Sequence, residues 1–178
     1  MLFRSDHRPQ FEALATQAGA DPASITPLKL LLNRVVTQFS ERDDCRGKIG
    51  VLIDSSRGEK ALHEATGRGW WVGRPIELPA SRPLRFEGSS SLASSLVHWP
   101  REQVVKCLVF YHPKDSQALR AEQERTLLEV WEATRASGHE LLLEVIPPQE
   151  MLEAGDEGQA VLDTIRHFYS LGFKPEWW

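Results

Sequence analysis

The sequence predicts an α/β fold of the (β/α)8 TIM-barrel type, on three observations. Short apolar runs alternate with amphipathic helical stretches along the chain. Two of the runs, residues 104–111 and 141–146, are nearly continuous in Val, Ile and Leu, as parallel strands covered on both faces are. Each of these two runs is broken by one charge, Lys106 in the first and Glu144 in the second. A charge inside a buried strand needs a partner or a task, and two in succession suggest an active site. Strands alternating with helices imply a parallel sheet with right-handed crossovers, in either a barrel or a doubly wound sheet. The first strand lacks a Gly-x-Gly-x-x-Gly turn, which weighs against the dinucleotide-binding version of the latter.

The elements follow in order. Leu2 and Phe3 open a first strand, and helical periodicity covers 9–19 and 27–39. In the second stretch Leu28, Leu31, Leu32, Val35 and Val36 share one face, and Pro27 suits a first helical turn. Residues 48–53 form a strand ending at Asp54, 58–66 a helix stopped by Gly67, and 70–72 a third strand. The fourth strand, 104–111, leads into a long helix, 116–137, with Asp115 as N-cap and Gly138 as a left-handed stop. The fifth strand, 141–146, precedes a helix over 159–171 whose Val161, Leu162, Ile165, Phe168 and Tyr169 form one stripe. That makes five strand–helix units, whereas a full barrel takes about 250 residues. The expectation is one domain, 1–178, truncated after about five units, with open edges that invite self-association.

Composition narrows the function. The chain is 41% hydrophobic and 26% charged, an ordinary globular balance. Its net charge of -4 and pI near 5.9 argue against nucleic acid. Two cysteines without metal-ligand or disulfide spacing fit a reducing cytoplasm, and the histidines and carboxylates suggest no metal. No run approaches the roughly 20 apolar residues of a membrane span, and the first residues do not read as an export signal.

Barrel enzymes place their reactive groups at the C-terminal ends of strands. Those ends here carry Asp6-His7-Arg8, Asp54, the segment Gly73-Arg74-Pro75-Ile76-Glu77, and Tyr111-His112. The connection 73–103 is long and rich in Pro and Ser, either a functional loop or an insertion. Its Arg74, Arg82 and Arg85 could receive a phosphate or carboxylate, or be ordinary solvated arginines; Arg74, beside a strand end, is the best placed. Adjacent strands lie about 4.8 Å apart, so Lys106 and Glu144 can face one another, as an acid–base pair or as an ion pair that locks the sheet.

Four segments carry a resemblance to a known family. They are Asp6-His7-Arg8; His63-Glu64-Ala65-Thr66-Gly67-Arg68-Gly69-Trp70-Trp71-Val72-Gly73-Arg74-Pro75-Ile76-Glu77-Leu78-Pro79; Val105-Lys106-Cys107-Leu108-Val109-Phe110-Tyr111-His112-Pro113; and Glu140-Leu141-Leu142-Leu143-Glu144-Val145-Ile146-Pro147-Pro148. Together they resemble the domain that follows the sugar kinase in bacterial 5-dehydro-2-deoxygluconokinase fusions, and more distantly class I aldolases of the tagatose-bisphosphate type. The resemblance implies a Schiff-base lyase of myo-inositol catabolism. Its substrate would be 2-deoxy-5-keto-gluconate 6-phosphate, cleaved to dihydroxyacetone phosphate and malonate semialdehyde without a cofactor. By the same resemblance Asp6, Lys106 and Glu144 are catalytic, with Glu144 in acid–base chemistry, while Arg8 and Asp54 bind substrate; Arg74, Glu77 and His112 join them as substrate-binding candidates from their places at strand ends. A sugar-kinase domain is the implied partner. The chain departs from the family pattern at Asp54-Ser55-Ser56-Arg57-Gly58, where an acidic and aromatic turn is usual, and at Arg4-Ser5. The family's imine-forming lysine belongs to a sixth strand, for which Lys174 is a poor match. A noncatalytic sugar-phosphate-binding or kinase-associated module is the alternative reading.

Overall fold

The computed structural model describes all residues except His7, Asp43, Asp44, Arg46, Ser89, Ser90 and Ala154. His7, noted above at a strand end, and Ser89 and Ser90 of the Ser-rich connection therefore lie outside the described residues. In order, the elements are β1 Leu2–Arg4, α1 Arg8–Gln17, α2 Ile25–Ser40, β2 Gly50–Leu52, α3 Glu59–Ala65, β3 Trp71–Pro75, α4 Leu92–Leu96, β4 Gln103–Phe110, α5 Gln117–Ser137, β5 Leu141–Ile146 and α6 Glu157–Ser170. The fold is α/β, and the strand ladders described below are parallel. The chain divides into two compact units: Met1–Pro75 with Glu102–Val104, and Ile76–Arg101 with Val105–Trp178.

In the first unit β1 pairs with β2 from Leu2↔Gly50 to Arg4↔Leu52, and β2 pairs with β3 from Gly50↔Trp71 to Leu52↔Gly73. Ile49, Val51, Ile53 and Val72 pack with Val36 of α2 and with Ala61, Leu62 and Ala65 of α3. Burying these apolar side chains supplies the unit's main driving force.

The orientation of α2 corrects the sequence reading. Its buried residues are Ile25, Lys29, Asn33 and Val36, while Leu28, Leu31, Leu32 and Val35 are 38–55% exposed. The two stripes are neighbours on the helix, and the buried carboxylate of Asp54 explains the choice between them. Lys29 donates a short hydrogen bond to Asp54, and both side chains are fully excluded from solvent. A carboxylate at that depth needs a cation, so the helix turns its lysine inward and leaves four apolar side chains facing out.

Gly58, just before α3, permits the turn that follows Asp54. A Cβ there would lie 2.5 Å from the Asp54 carbonyl oxygen and 2.6 Å from Ile53 Cγ2. The first of these is backbone and cannot swing aside. Gly58→Ala is expected to destabilise the protein by about 1–3 kcal/mol, as overpacking does, read as a lowered urea midpoint. A midpoint equal to that of the native chain would show that the turn relaxes freely.

In the second unit β4 pairs with β5 in parallel register from Val105↔Leu141 to Phe110↔Ile146. Val105, Cys107, Val109, Leu141 and Leu143 form one face of this ladder and join a core with Leu127, Val130 and Ala133 of α5 and with Phe168 and Phe173. Because side chains alternate along a strand, Lys106, Leu108, Leu142 and Glu144 occupy the opposite face.

Three expectations are revised in this unit. The N-cap of α5 is Ser116, whose hydroxyl accepts from the Leu119 amide; Asp115 is occupied with the His112 amide and Arg82. Gly138 does end the helix in the left-handed region, at φ 73°. On α6 the inward line is Ala160, Thr164 and Phe168, and Leu162 and Tyr169 turn outward. Tyr169 instead meets Trp178, accepting from its indole nitrogen at 2.9 Å. The connection 73–103, expected to be a functional loop or an insertion, is in part built into the core: Glu77 and Phe86 form an antiparallel bridge, and Leu84 and Leu96 are buried.

The outer edge of β5 was expected to be open, and there too the structure differs. The Leu143 amide donates to the Trp177 carbonyl and the Trp177 amide to the Leu141 carbonyl, both at 3.1 Å, in a parallel bridge. Glu176 completes the cover by accepting the Leu141 amide at 2.8 Å and both terminal nitrogens of Arg135. Partial burial works to raise the Glu176 pKa, but Arg135 and the Leu141 amide outweigh it and hold the carboxyl below its usual value.

Candidate active site

The charged face of the second unit's ladder holds three of the sequence-predicted residues. Lys106 is 2% exposed, and its ammonium lies 3.1 Å from Glu77 Oε1 and 3.2 Å from Glu144 Oε2. Glu144 stands opposite Leu108, two residues beyond Lys106 in register, so the lysine reaches it diagonally along the ladder. The other Glu77 oxygen accepts the Leu108 amide at 3.1 Å. Glu77 is thus anchored to β4 at two points and buried, whereas the Glu144 side chain is 29% exposed. One buried cation is shared by a buried and a partly open carboxylate. This geometry gives Glu144 the access that proton exchange with a ligand requires and gives Lys106 an orienting role.

Cys107 neighbours this group in sequence but points into the opposite, apolar face, where complete burial pushes its thiol pKa well up. It is an inert packing residue, and both cysteines are free and buried. His112 is also buried: its amide donates to Asp115 at 3.1 Å and its Nδ1 accepts the Lys114 amide at 3.0 Å. That bond leaves Nε2 as the protonated ring nitrogen in the neutral form. Arg82 and Arg85, weighed above as anion receivers, are paired with Asp115 and Glu150 and with Glu122.

The remaining predicted residues belong to the first unit. Asp54 accepts from Lys29, from the Ser56 hydroxyl at 3.0 Å and from the Arg57 amide at 2.8 Å. Burial would raise its pKa, but Lys29 and these donors overcome that and lower it. Arg74 lies beside the same turn, donating to Ser55 Oγ at 2.7 Å and to Gln103 at 3.4 Å. Burial lowers the Arg74 pKa, and Glu59 opposes the change. Asp6 and Arg8 are both buried, and Asp6 receives Arg4 at 3.4 Å. Asp54 and Arg74 thus meet on one turn, 54–57.

Lys29 escaped the sequence reading, although a lone lysine among five apolar helix positions was the available signal. Glu77 was seen as a ligand contact, and its pairing with Lys106 was not anticipated. Among the described residues no group of three His, Cys, Asp or Glu side chains could hold a metal ion. No helix among them is long and apolar enough to cross a membrane.

Parallel strands joined by helices define an α/β protein. Within that class, the chain belongs to the family described as "uncharacterized protein conserved in bacteria (DUF2090)", whose model matches residues 1–178. No curated protein matches the chain.

Proposed function

We propose that the chain is an aldolase-type lyase domain acting on a phosphorylated keto sugar acid, 2-deoxy-5-keto-gluconate 6-phosphate, in myo-inositol catabolism. The resemblance of its strand segments to the domain of kinase fusions suggests the reaction. The observation that carries the proposal is the pairing of buried Lys106 with partly open Glu144 at 3.2 Å, on the ladder face opposite the core. In this reading Glu144 takes the hydroxyl proton of the substrate as the carbon–carbon bond breaks, and the electron pair is left on the carbon beside the ketone, as an enolate or, where a lysine has condensed with the ketone and released water, as an enamine. Lys106 positions the Glu144 carboxylate, and Glu77 fixes Lys106. Within the same unit His112 offers the substrate a further donor. The site lies in a protein of the cytoplasm.

A second reading, a noncatalytic sugar-phosphate-binding or kinase-associated module, is favoured by the deep burial of Lys106 and its second partner Glu77, a pattern that also suits a structural lock. Incubation with dihydroxyacetone phosphate and borohydride, followed by mass spectrometry, separates the two. The lyase predicts a reduced covalent adduct, and Glu144→Gln should lower cleavage at least about 100-fold, the lower range for loss of a general acid–base group, while adduct formation persists. Saturable binding without adduct or cleavage would hand the chain to the module reading.

A further inference from the structure

His112 follows β4, and its neighbours fix it atom by atom. Tyr111 continues the core-facing line of Val105, Cys107 and Val109, so the next residue emerges on the side of Lys106 and Glu144. The His112 amide donates to Asp115 Oδ2 at 3.1 Å, its carbonyl accepts the Asp115 amide at 3.0 Å, and its Nδ1 accepts the Lys114 amide at 3.0 Å. Although the residue is only 5% exposed, its Nε2 has no hydrogen-bond partner among the described residues. Nor is that atom sealed off: the enclosed, unpartnered nitrogens include Nε2 of His139 but not that of His112. With Nδ1 accepting, Nε2 carries the proton of the neutral ring and is a donor in want of an acceptor.

Asp115 is held in its turn. Its Oδ1 accepts from Arg82 Nη2, and its side chain is 3% exposed. The same guanidinium reaches Glu150 Oε1 at 3.3 Å and Met151 Sδ at 3.5 Å, both beyond β5. Arg82 therefore ties the connection after β3 to those after β4 and β5, at the strand ends where sites of α/β proteins gather. We propose that Arg82 is a positioning residue: acting through Asp115, it holds the His112 ring so that Nε2–H is presented to an oxygen of a bound phosphorylated ketose. The inference rests on the lyase reading for the class of ligand, and it gives Arg82 a task in which the guanidinium touches no ligand. Two carboxylates already face Arg82, so the ligand oxygen meets a neutral imidazole donor instead.

The test follows both ring nitrogens of His112 by NMR in the isotope-labelled full chain at about pH 8, where an ordinary imidazole is neutral, during titration with dihydroxyacetone phosphate, the smallest phosphorylated ketose. The native protein should show two unlike nitrogens with the proton on Nε2, and the Nε2 signal should shift saturably. Arg82→Leu should draw the two signals together as the ring loses its fixed tautomer, and should weaken binding about fivefold, the order of one hydrogen bond. Arg82→Lys, which keeps a cation for Asp115, should recover most of both effects; a role confined to stability would leave the ring nitrogens where they are. If Arg82→Leu fails to fold, Asp115→Asn, which keeps the shape and gives up the ion pair, should move the signals the same way. Signals that neither variant moves would remove Arg82 from positioning. An Nε2 signal unmoved by the ligand would overturn the assignment even where borohydride traps an adduct. A saturable Nε2 shift with neither adduct nor cleavage would overturn the lyase and support the positioning of His112.

Discussion

Glu77→Ala is expected to cost about 3–5 kcal/mol of stability, the range for removing one member of a buried ion pair. The substitution leaves Lys106 buried beside the partly open Glu144 with its buried partner gone, and it deprives the Leu108 amide of its acceptor. Both losses fall on β4, whose other face forms the core of the second unit. Glu144→Gln should be milder, on the order of 1 kcal/mol, because water reaches the Glu144 side chain and the amide oxygen still accepts from Lys106. Replacing the pair together, as Glu77→Leu with Lys106→Met, should restore most of the loss, since no charge is then stranded. Urea unfolding of the native chain and the three variants reads these differences. A Glu77→Ala cost under about 1 kcal/mol would mean that Lys106 is solvated in ways its burial denies.

The second large effect is at Asp54 and carries a pH signature. Asp54→Ala removes the partner of fully buried Lys29 and should likewise cost about 3–5 kcal/mol. A carboxyl whose pKa is depressed on folding contributes stability that is fully present above its unfolded value, 3.8, and is lost as pH falls through the lower folded value. Native stability should therefore be level above about pH 5 and decline in the acid range. In Asp54→Asn the part of that decline due to Asp54 disappears, and the curve starts lower at neutral pH. Glu176 is depressed as well and contributes a separate part of the acid loss. Comparing Asp54→Asn with Glu176→Gln at pH 6 and pH 3 apportions the two. An Asp54→Asn curve parallel to the native one would show that the carboxyl titrates no differently in the folded chain.

Much of the architecture was legible in the sequence because the strands are apolar enough to announce themselves. The run 141–146 coincides with β5, and 104–111 lies one residue from β4. The charges inside these runs led to Lys106 and Glu144, and the structure places them in contact on the ladder face opposite the core. Helix faces were legible only in part. Hydrophobicity chose the leucine stripe of α2, but the helix is rotated by the requirement of Asp54, some 25 residues away in sequence, for Lys29. Periodicity cannot see a pairing whose partner lies on another element. The same holds for Asp115, a good N-cap by residue type that Arg82 and the His112 amide claim first. The role of Glu77 was hidden because the segment after β3 reads as loop, whereas its bridge to Phe86 and its bonds to β4 fix where that carboxylate stands.

The two interior lysines give the molecule a built-in clock. Lys29 and Lys106 are each almost wholly shielded from solvent, one in each compact unit. Amine-reactive acylating reagents should therefore modify other lysines promptly and these two only when their surroundings open. Peptide mapping of acylation against time would then give two opening rates from one sample, and their equality or difference would tell whether the halves of the chain breathe in concert or on separate schedules.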